Sequence, residues 1–359
     1  MSLHKIKNID DLHRYIYAAM QLEHATIPLY LTALYSIKPG TNAEAMHILR
    51  VIAVEEMLHL TLVCNLMNAV GGKVDMSQKG FVAQYPTMLP DGEDDFVVDC
   101  QPFSQKAIEA FMKIERPADL DDGSATIRRK SAPHPVLVAC HPYKDEDPEL
   151  HFFSIGQFYK AIEDGLRVLH AQIGDELFSG DPANQITSEY YYSGGGELTA
   201  ITDMSSALRA LDLIAEQGEG ITAHIFDEDG EIAHYFRFHQ LFAGRYYQEG
   251  DEPYKPTGPE VDVDWDAVFP AKMNARMTDY ADGSDLREQA TNFNRAYANF
   301  LRMLSFACNG NPEKFTDAVG EMFKIKELFY LLMRQPLNDD GSIHAAPTFE
   351  IDAVLEGGA

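Results

Sequence analysis

Apolar residues recur along much of the chain at intervals of three and four, the spacing that places them on one face of an α-helix. The pattern predicts two long helices over 9–37 and 41–70. Only a short turn at Pro39 and Gly40 separates them, so we expect them to pack as an antiparallel hairpin. Further helices are predicted over 104–114, 152–178, 203–219, 231–247, 284–308 and 311–334. The chain is therefore expected to be mainly α.

The stretches between these helices indicate how the chain is organised. Pro, Asp and Gly accumulate between 73 and 150, where short strands are predicted over 81–85 and 96–100. A long crossover between the second and third helices is a feature of some four-helix bundles. We therefore expect a bundle over 1–250 with an irregular, β-containing insertion at 73–150. Residues 251–359 are expected to form a loop and extra C-terminal helices that pack on the bundle.

Two polar residues stand in the middle of the apolar stripe of the second helix. The stripe consists of Ala45, Leu49, Ile52, Glu56, His59, Val63, Leu66 and Val70. A carboxylate buried at such a position is costly unless it is paired, hydrogen-bonded or bound to a metal. The first helix carries Glu23 at the centre of its stripe, and the third carries Glu163.

A fourth position of this kind can be interpreted in two ways. Glu231 and His234 form a second E-x-x-H pair directly. Alternatively, 221–232 is an inserted loop, and the helix that carries Glu219 resumes at His234 with the same spacing of Glu and His. We favour Glu219 because it places the pair in the middle of a helix, as in the first two helices, and Glu231 stays the alternative.

The resulting order is Glu, E-x-x-H, Glu, E-x-x-H, which is the arrangement of di-iron and di-manganese carboxylate bundles. Carboxylates bridge two hard cations and balance their charge, and imidazole adds a nitrogen donor that suits iron. We therefore predict two iron ions, with manganese as the alternative. The predicted ligands are Glu23, Glu56, His59, Glu163, Glu219 and His234. Glu55 is expected to support a ligand or to face solvent, and the E-x-x-H at Glu44 lies off the stripe.

The amino-acid composition limits the kinds of partner that the protein is expected to bind. The 359 residues include 56 acidic and 29 basic side chains, for a net charge of -27. Such a charge argues against nucleic acid and against an anionic membrane surface. The first residues lack a signal-peptide core, no segment is apolar enough to span a membrane, and the four cysteines are scattered. We predict reduced thiols and a cytoplasmic location.

Several of these segments resemble a known family. They are QLEHATIP at 21–28, EEMLHL at 55–60, GQFY at 156–159, QGEG at 217–220 and AHYFRF at 233–238. Over roughly 8–247 they are similar to the ferritin-like domain of iminophenyl-pyruvate dimer synthases, enzymes of violacein- and rebeccamycin-type bisindole biosynthesis. The resemblance implies a ferritin-like four-helix bundle and supports metal-ligand roles for the six residues predicted above. The bisindole synthases are much longer chains.

The resemblance implies a di-iron oxidoreductase. Its substrate would be a small organic molecule such as an amino-acid-derived imine, with O2 or peroxide as the oxidant. Two other functions stay open: iron binding or peroxide scavenging without an organic substrate, and a bundle retained as an interaction module. The intact ligand set argues against the last. The sequence is compatible with an oligomer and does not determine its size.

Overall fold

The structure, a computed structural model, describes residues 6–88, 97–117, 155–191, 196, 198–218, 225–226 and 230–356. Its helices are α1 (Ile9–Ser36), α2 (Ala43–Ala69), α3 (Gln105–Ile114), α4 (Ile155–Ile173), α5 (Met204–Gln217), α6 (His234–Ala243), α7 (Asp285–Ala307), α8 (Phe315–Met333) and α9 (Asp352–Glu356). Two short strands, β1 (Thr87–Met88) and β2 (Val97–Val98), pair antiparallel, with Thr87 opposite Val98. The chain is mainly α, as predicted.

Short polar side chains cap the starts of several helices. The side chain of Asn8 accepts a hydrogen bond from the backbone N–H of Asp11 at the start of α1, and Ser104 caps α3 in the same way. Asp203 and Ser206 form a reciprocal capping box at the start of α5. These caps satisfy backbone donors that the first helical turn leaves unpaired, so local sequence defines where α1, α3 and α5 begin.

The helices α1, α2, α4 and α5 form the four-helix bundle. The first two run antiparallel through a turn in which Gly40 adopts a positive φ of 86°. In turn, α4 packs on α1 and α5, and α5 packs on α2. The connection from α2 to α4 contains α3, which lies outside the bundle and packs against α6. The predicted crossover between the second and third bundle helices is therefore confirmed.

A second layer of helices covers the opposite side of α1. The antiparallel pair α7 and α8 packs there, and α8 contacts α1 directly. Its core is aromatic, with the rings of Phe293, Tyr297, Phe329 and Phe349 in contact with one another. Because α1 lies between the other bundle helices and this layer, almost every residue from Tyr15 to Leu34 is buried. The division into segments at residue 250 stays a prediction.

The predicted strand at 81–85 was wrong, and the strand lies just after it. Phe81 and Tyr85 instead cover α1 with buried side chains, and the Tyr85 hydroxyl donates to the carbonyl of Ala25 at 2.6 Å. Three of the cysteines, Cys64, Cys100 and Cys308, are free thiols, and Cys140 lies outside the described residues. Among the helices described, none combines the length and the apolar character needed to cross a bilayer.

Candidate metal centre

Five buried side chains converge from four helices at the centre of the molecule. Glu23 lies midway along α1, Glu56 and His59 lie one turn apart on α2, and His234 is the first residue of α6. Glu115 follows the last residue of α3 and caps that helix. None of the five exposes more than 4% of its surface. Together they form two groups whose potential ligand atoms lie within 4.8 Å of one another.

The first group consists of Glu23, Glu56 and His59. The Nδ1 atom of His59 lies 3.4 Å from a carboxylate oxygen of Glu23 and 3.9 Å from one of Glu56. The other ring nitrogen, Nε2, lies 2.9 Å from the amide oxygen of Gln217, the last residue of α5. Because an amide oxygen only accepts, Nε2 carries the proton and Nδ1 directs its lone pair at the carboxylates in the neutral ring.

The second group repeats this arrangement with Glu56, Glu115 and His234. The Nδ1 atom of His234 lies 3.0 Å from Glu56 and 3.6 Å from Glu115. Its Nε2 lies 3.0 Å from the carboxylate of Glu55, which also accepts a 2.7 Å hydrogen bond from Arg237. Glu56 therefore belongs to both groups through one oxygen and lies between the two imidazoles.

Hydroxyl groups hold the three carboxylates in place. The buried Tyr159 of α4 donates to Glu23, and the buried Tyr30 of α1 donates to Glu115. Thr26 donates to the second oxygen of Glu56 at 2.6 Å. Each potential ligand thus has a partner on its outer side, the arrangement that fixes ligand orientation in metal sites.

The electrostatics of the site favour a bound cation. Burial raises the pKa of Glu56 to about 7, and the nearby charge of Glu115 adds to the effect. Burial opposes a positive charge on His234, but Glu115, Glu55 and Glu56 outweigh it and raise the pKa of the ring well above its usual value. Burial also opposes a positive charge on His59, but the carboxylates of Glu23 and Glu56 outweigh burial and raise the pKa of that ring. Protons and metal ions would compete for these atoms, so metal affinity should fall as pH decreases.

The donor set fits two divalent metal ions. The buried Nδ1 atom of His234 has no hydrogen-bond partner of acceptable geometry, although it faces two carboxylates, which is what a metal ligand requires. A small cavity of about 20 Å³ lies among Glu23, Glu56, His59 and Glu115. Three carboxylates would balance most of the charge of two divalent ions, and neutral imidazole completes a set of hard and intermediate donors.

The structure brings four of the six predicted ligands together: Glu23, Glu56, His59 and His234. It does not bring Glu163 to them. That carboxylate lies near the surface of α4, 2.9 Å from Lys160 and 2.8 Å from Arg167, and these cations lower its pKa against a burial effect that would raise it. Glu219 lies outside the described residues, so its role stays a prediction.

The remaining two glutamates differ in role. Glu231 is largely exposed and lies 4.0 Å from Arg237. Glu55 is buried and supports His234, which was one of its two predicted roles. Burial opposes its charged form, yet His234 and Arg237 outweigh this and lower the pKa of Glu55.

Glu115 is the site residue that sequence reasoning missed. It lies within the irregular stretch after α2, where no ligand was sought. A signal was present, because Ile108, Phe111 and Glu115 are spaced by three and four, and the two apolar residues are fully buried. A carboxylate that continues an apolar stripe at the end of a helix was the same anomaly that indicated Glu23 and Glu56.

Replacing Gln217 by Leu tests how His59 is held. The change removes the acceptor for Nε2 while leaving every predicted ligand in place. We expect metal affinity to fall about 10–100-fold, because the ring loses the partner that fixes its tautomer and orientation. Titration of the stripped protein with Co²⁺, followed by its visible absorbance, measures the change. The exposed Gln248→Leu variant is the control, and equal affinities in both variants would contradict the assignment.

A four-helix bundle with buried carboxylates and imidazoles at its centre is typical of proteins that bind a pair of metal ions. A family model described as ferritin-like matches residues 16–243. The chain therefore belongs to the ferritin-like family, and the resemblance noted in the sequence is confirmed at that level.

Two individual proteins show how far the similarity extends. The chain is 26% identical over 329 residues to dichlorochromopyrrolate synthase of Lentzea aerocolonigenes, a match that covers 84% of this chain but 29% of the relative. The chain thus spans under a third of the length of that protein. A crystal structure of a ferritin-like protein from Caulobacter vibrioides superposes with a TM-score of 0.54 at 21% identity, covering 90% of this chain and 97% of the other. That likeness concerns the fold.

Proposed function

We propose that the protein is a non-haem di-iron oxidoreductase that acts on a small organic substrate with O2 or peroxide as the oxidant. The observation that carries the proposal is the pair of carboxylate–imidazole groups that share Glu56. The matched relative is named as a synthase of an organic compound, dichlorochromopyrrolate, which supports an organic substrate over mere iron binding. An amino-acid-derived imine is the substrate class that we propose, and the cytoplasm is the proposed location.

The residues of this chain would hold the ions and keep water out. Glu23 and His59 would bind one ion, Glu115 and His234 the other, and Glu56 both. The amino-acid side chains of a four-helix scaffold do not supply the electron exchange that oxidation needs. Two iron ions would supply it. Tyr30, Tyr159 and Thr26 fix the carboxylates, and the near-complete burial of the ligands excludes bulk solvent.

The overall reaction is a two-electron oxidation. The substrate would lose two electrons and two protons, and these would reduce one peroxide to two water molecules or one O2 to peroxide.

Metal loading and turnover of the full chain test this function. The protein is stripped, loaded anaerobically with Fe²⁺, and mixed with peroxide or O2 in the presence of imines of aromatic amino acids. We expect about two iron ions per chain and loss of imine in proportion to the oxidant consumed. The Zn²⁺-loaded protein is the control, because zinc has no redox chemistry and should leave the imine unchanged.

Three outcomes would contradict the proposal. Iron binding no higher than that of a surface-site background would exclude the metal centre. Oxidant consumption without loss of any organic substrate would identify a peroxide scavenger. Uptake of iron far beyond two ions per chain would identify iron storage, the other function that the sequence left open.

A further inference from the structure

A large apolar cavity lies on the opposite side of the α1–α2 hairpin from the metal centre. Its volume is about 900 Å³, near the upper end of the range for small-molecule sites. Its walls come from α1 and α2 on one side and from α7 and α8 on the other. Representative apolar lining residues are Leu31, Leu34, Val51, Met57, Leu304 and Met322. A space of this size, partly open to solvent between helices that otherwise pack closely, indicates a binding site.

The cavity is distinct from the candidate metal centre. None of the five residues of the two metal-binding groups lines it, but two of their supporting residues do, Glu55 and Arg237. Because successive residues of α2 project in different directions, Glu56 faces the metal centre while Glu55 reaches the cavity. A molecule in the cavity would therefore lie behind the metal ligands and would touch the residues that hold His234.

The charged groups that line the cavity are unevenly paired. Both of its carboxylates, Glu55 and Glu231, lie against Arg237. Two other cations, Arg50 on α2 and Lys326 on α8, form no ion pair within the described part of the chain. The Arg50 guanidinium lies 3.2 Å from the ring of His47 and near the hydroxyl of Tyr35, two residues that also line the cavity. Both Arg50 and Lys326 are exposed, so their charges are open to the polar end of a ligand whose apolar part lies in the cavity.

We propose that this cavity binds an amphipathic carboxylate, with its apolar body between the two helix pairs and its carboxylate at Arg50 and Lys326. Guanidinium and ammonium groups are the usual partners of a carboxylate, and the apolar lining would remove the body of the ligand from water. The large Phe323 side chain on α8, which is 60% exposed, lies at this cavity and adds apolar surface at its edge. The proposal rests on the cavity and its cations, and does not require the metal centre to be active.

Two kinds of ligand share this chemistry, aliphatic and aryl carboxylates. Calorimetric titration of the full chain with dodecanoate and with 1-naphthaleneacetate distinguishes them, because the tighter binder identifies the apolar body. Titration with dodecanol, which has the same chain and no charge, isolates the carboxylate. We expect one dodecanoate or naphthaleneacetate per chain, bound at least about tenfold more tightly than the alcohol (about 1.4 kcal/mol). Metal-free and metal-loaded protein should bind alike.

Matched variants locate the site. Arg50→Gln with Lys326→Gln should weaken carboxylate binding about tenfold or more and leave dodecanol binding unchanged. Lys106→Gln with Lys255→Gln removes the same charge from exposed ion pairs elsewhere and should leave both ligands unaffected. Met322→Trp should narrow the cavity and weaken both ligands.

Several results would overturn the proposal. Carboxylate binding no tighter than that of the alcohol would exclude an anionic site, as would an equal loss in both double variants. Binding that persists in a folded Met322→Trp protein would place the ligand elsewhere. If that variant does not fold, the Arg50 and Lys326 comparison still decides. If the protein binds the carboxylate but shows no oxidase activity, the proposal for this cavity stands and the proposed function fails.

Discussion

Replacing Glu56 by Gln is expected to remove both metal ions at once. Glu56 is the one carboxylate common to the two groups, and its Oε1 atom lies 3.0 Å from His234 Nδ1 and 3.9 Å from His59 Nδ1. Glutamine keeps the shape of the side chain and can still accept the hydrogen bond from Thr26, but it lacks the charge that binds a hard cation. Metal content after loading, measured by mass spectrometry of the full chain, should fall from about two ions to background. The loss should exceed the 10–100-fold effect expected for a supporting residue such as Gln217.

Glu163→Gln is the matched control for this experiment. It makes the same chemical change on another bundle helix, at a carboxylate that pairs with Lys160 and Arg167 near the surface. We expect this variant to keep the metal content of the unmodified chain. Retention of two ions by Glu56→Gln, or an equal loss in both variants, would show that the cluster around Glu56 is not the metal site.

Local sequence could predict the part of the site that lies on long helices. Glu23, Glu56 and His59 interrupt stripes that are otherwise apolar, and burial makes such interruptions meaningful. On α4 the same reasoning predicted Glu163, which in the structure pairs with Lys160 and Arg167 near the surface. The buried face of α4 instead runs through Phe158 and Ile162, so Glu163 falls one position away from it.

The contribution of Glu115 depends on a long-range contact that the sequence does not encode locally. Its helix, α3, lies in the crossover and reaches the site because it packs against α6. The three-four spacing from Ile108 through Phe111 indicates that Glu115 is buried, but not which helices it meets. The geometry of a site assembled from a crossover therefore needs the tertiary structure.

The sequence predicted the helical architecture more completely than it predicted the metal centre, with one important exception. Periodicity located the helices to within a few residues, because long amphipathic stretches bounded by caps are strong signals. Extra C-terminal helices that pack on the bundle were predicted, but not that α7 and α8 would lie against α1 and border a cavity. A hint lies in α1 itself, where residues such as Thr26 and Thr32 are buried and no continuous polar face remains. A helix that is apolar on all sides is expected to be covered on all sides.

Gly180 occupies a position where no side chain fits. Its backbone N–H donates, at 3.1 Å, to the carbonyl of Ala69, the last residue of the bundle helix α2. A Cβ atom at Gly180 would lie 1.7 Å from the carbonyl oxygen of Asn68. That carbonyl cannot easily move, because the Asn68 side chain donates to the backbone of Cys308 at 2.5 Å and so fastens the end of α2 to the end of α7.

Gly180→Ala is therefore expected to destabilise the protein by about 2–3 kcal/mol or more, the cost of forcing a group into a packed backbone contact. Gly320→Ala is its matched control. Gly320 lies within α8, and no atom apart from the adjacent backbone of that helix lies within 4 Å of the position that an alanine methyl group would take, so alanine should stabilise the helix by about 0.5–1 kcal/mol. Urea unfolding of the two variants beside the unmodified chain measures both changes. Equal stabilities for Gly180→Ala and the unmodified chain would mean that the end of α2 can shift, and that the contact between α2 and the segment at Gly180 does not constrain the fold.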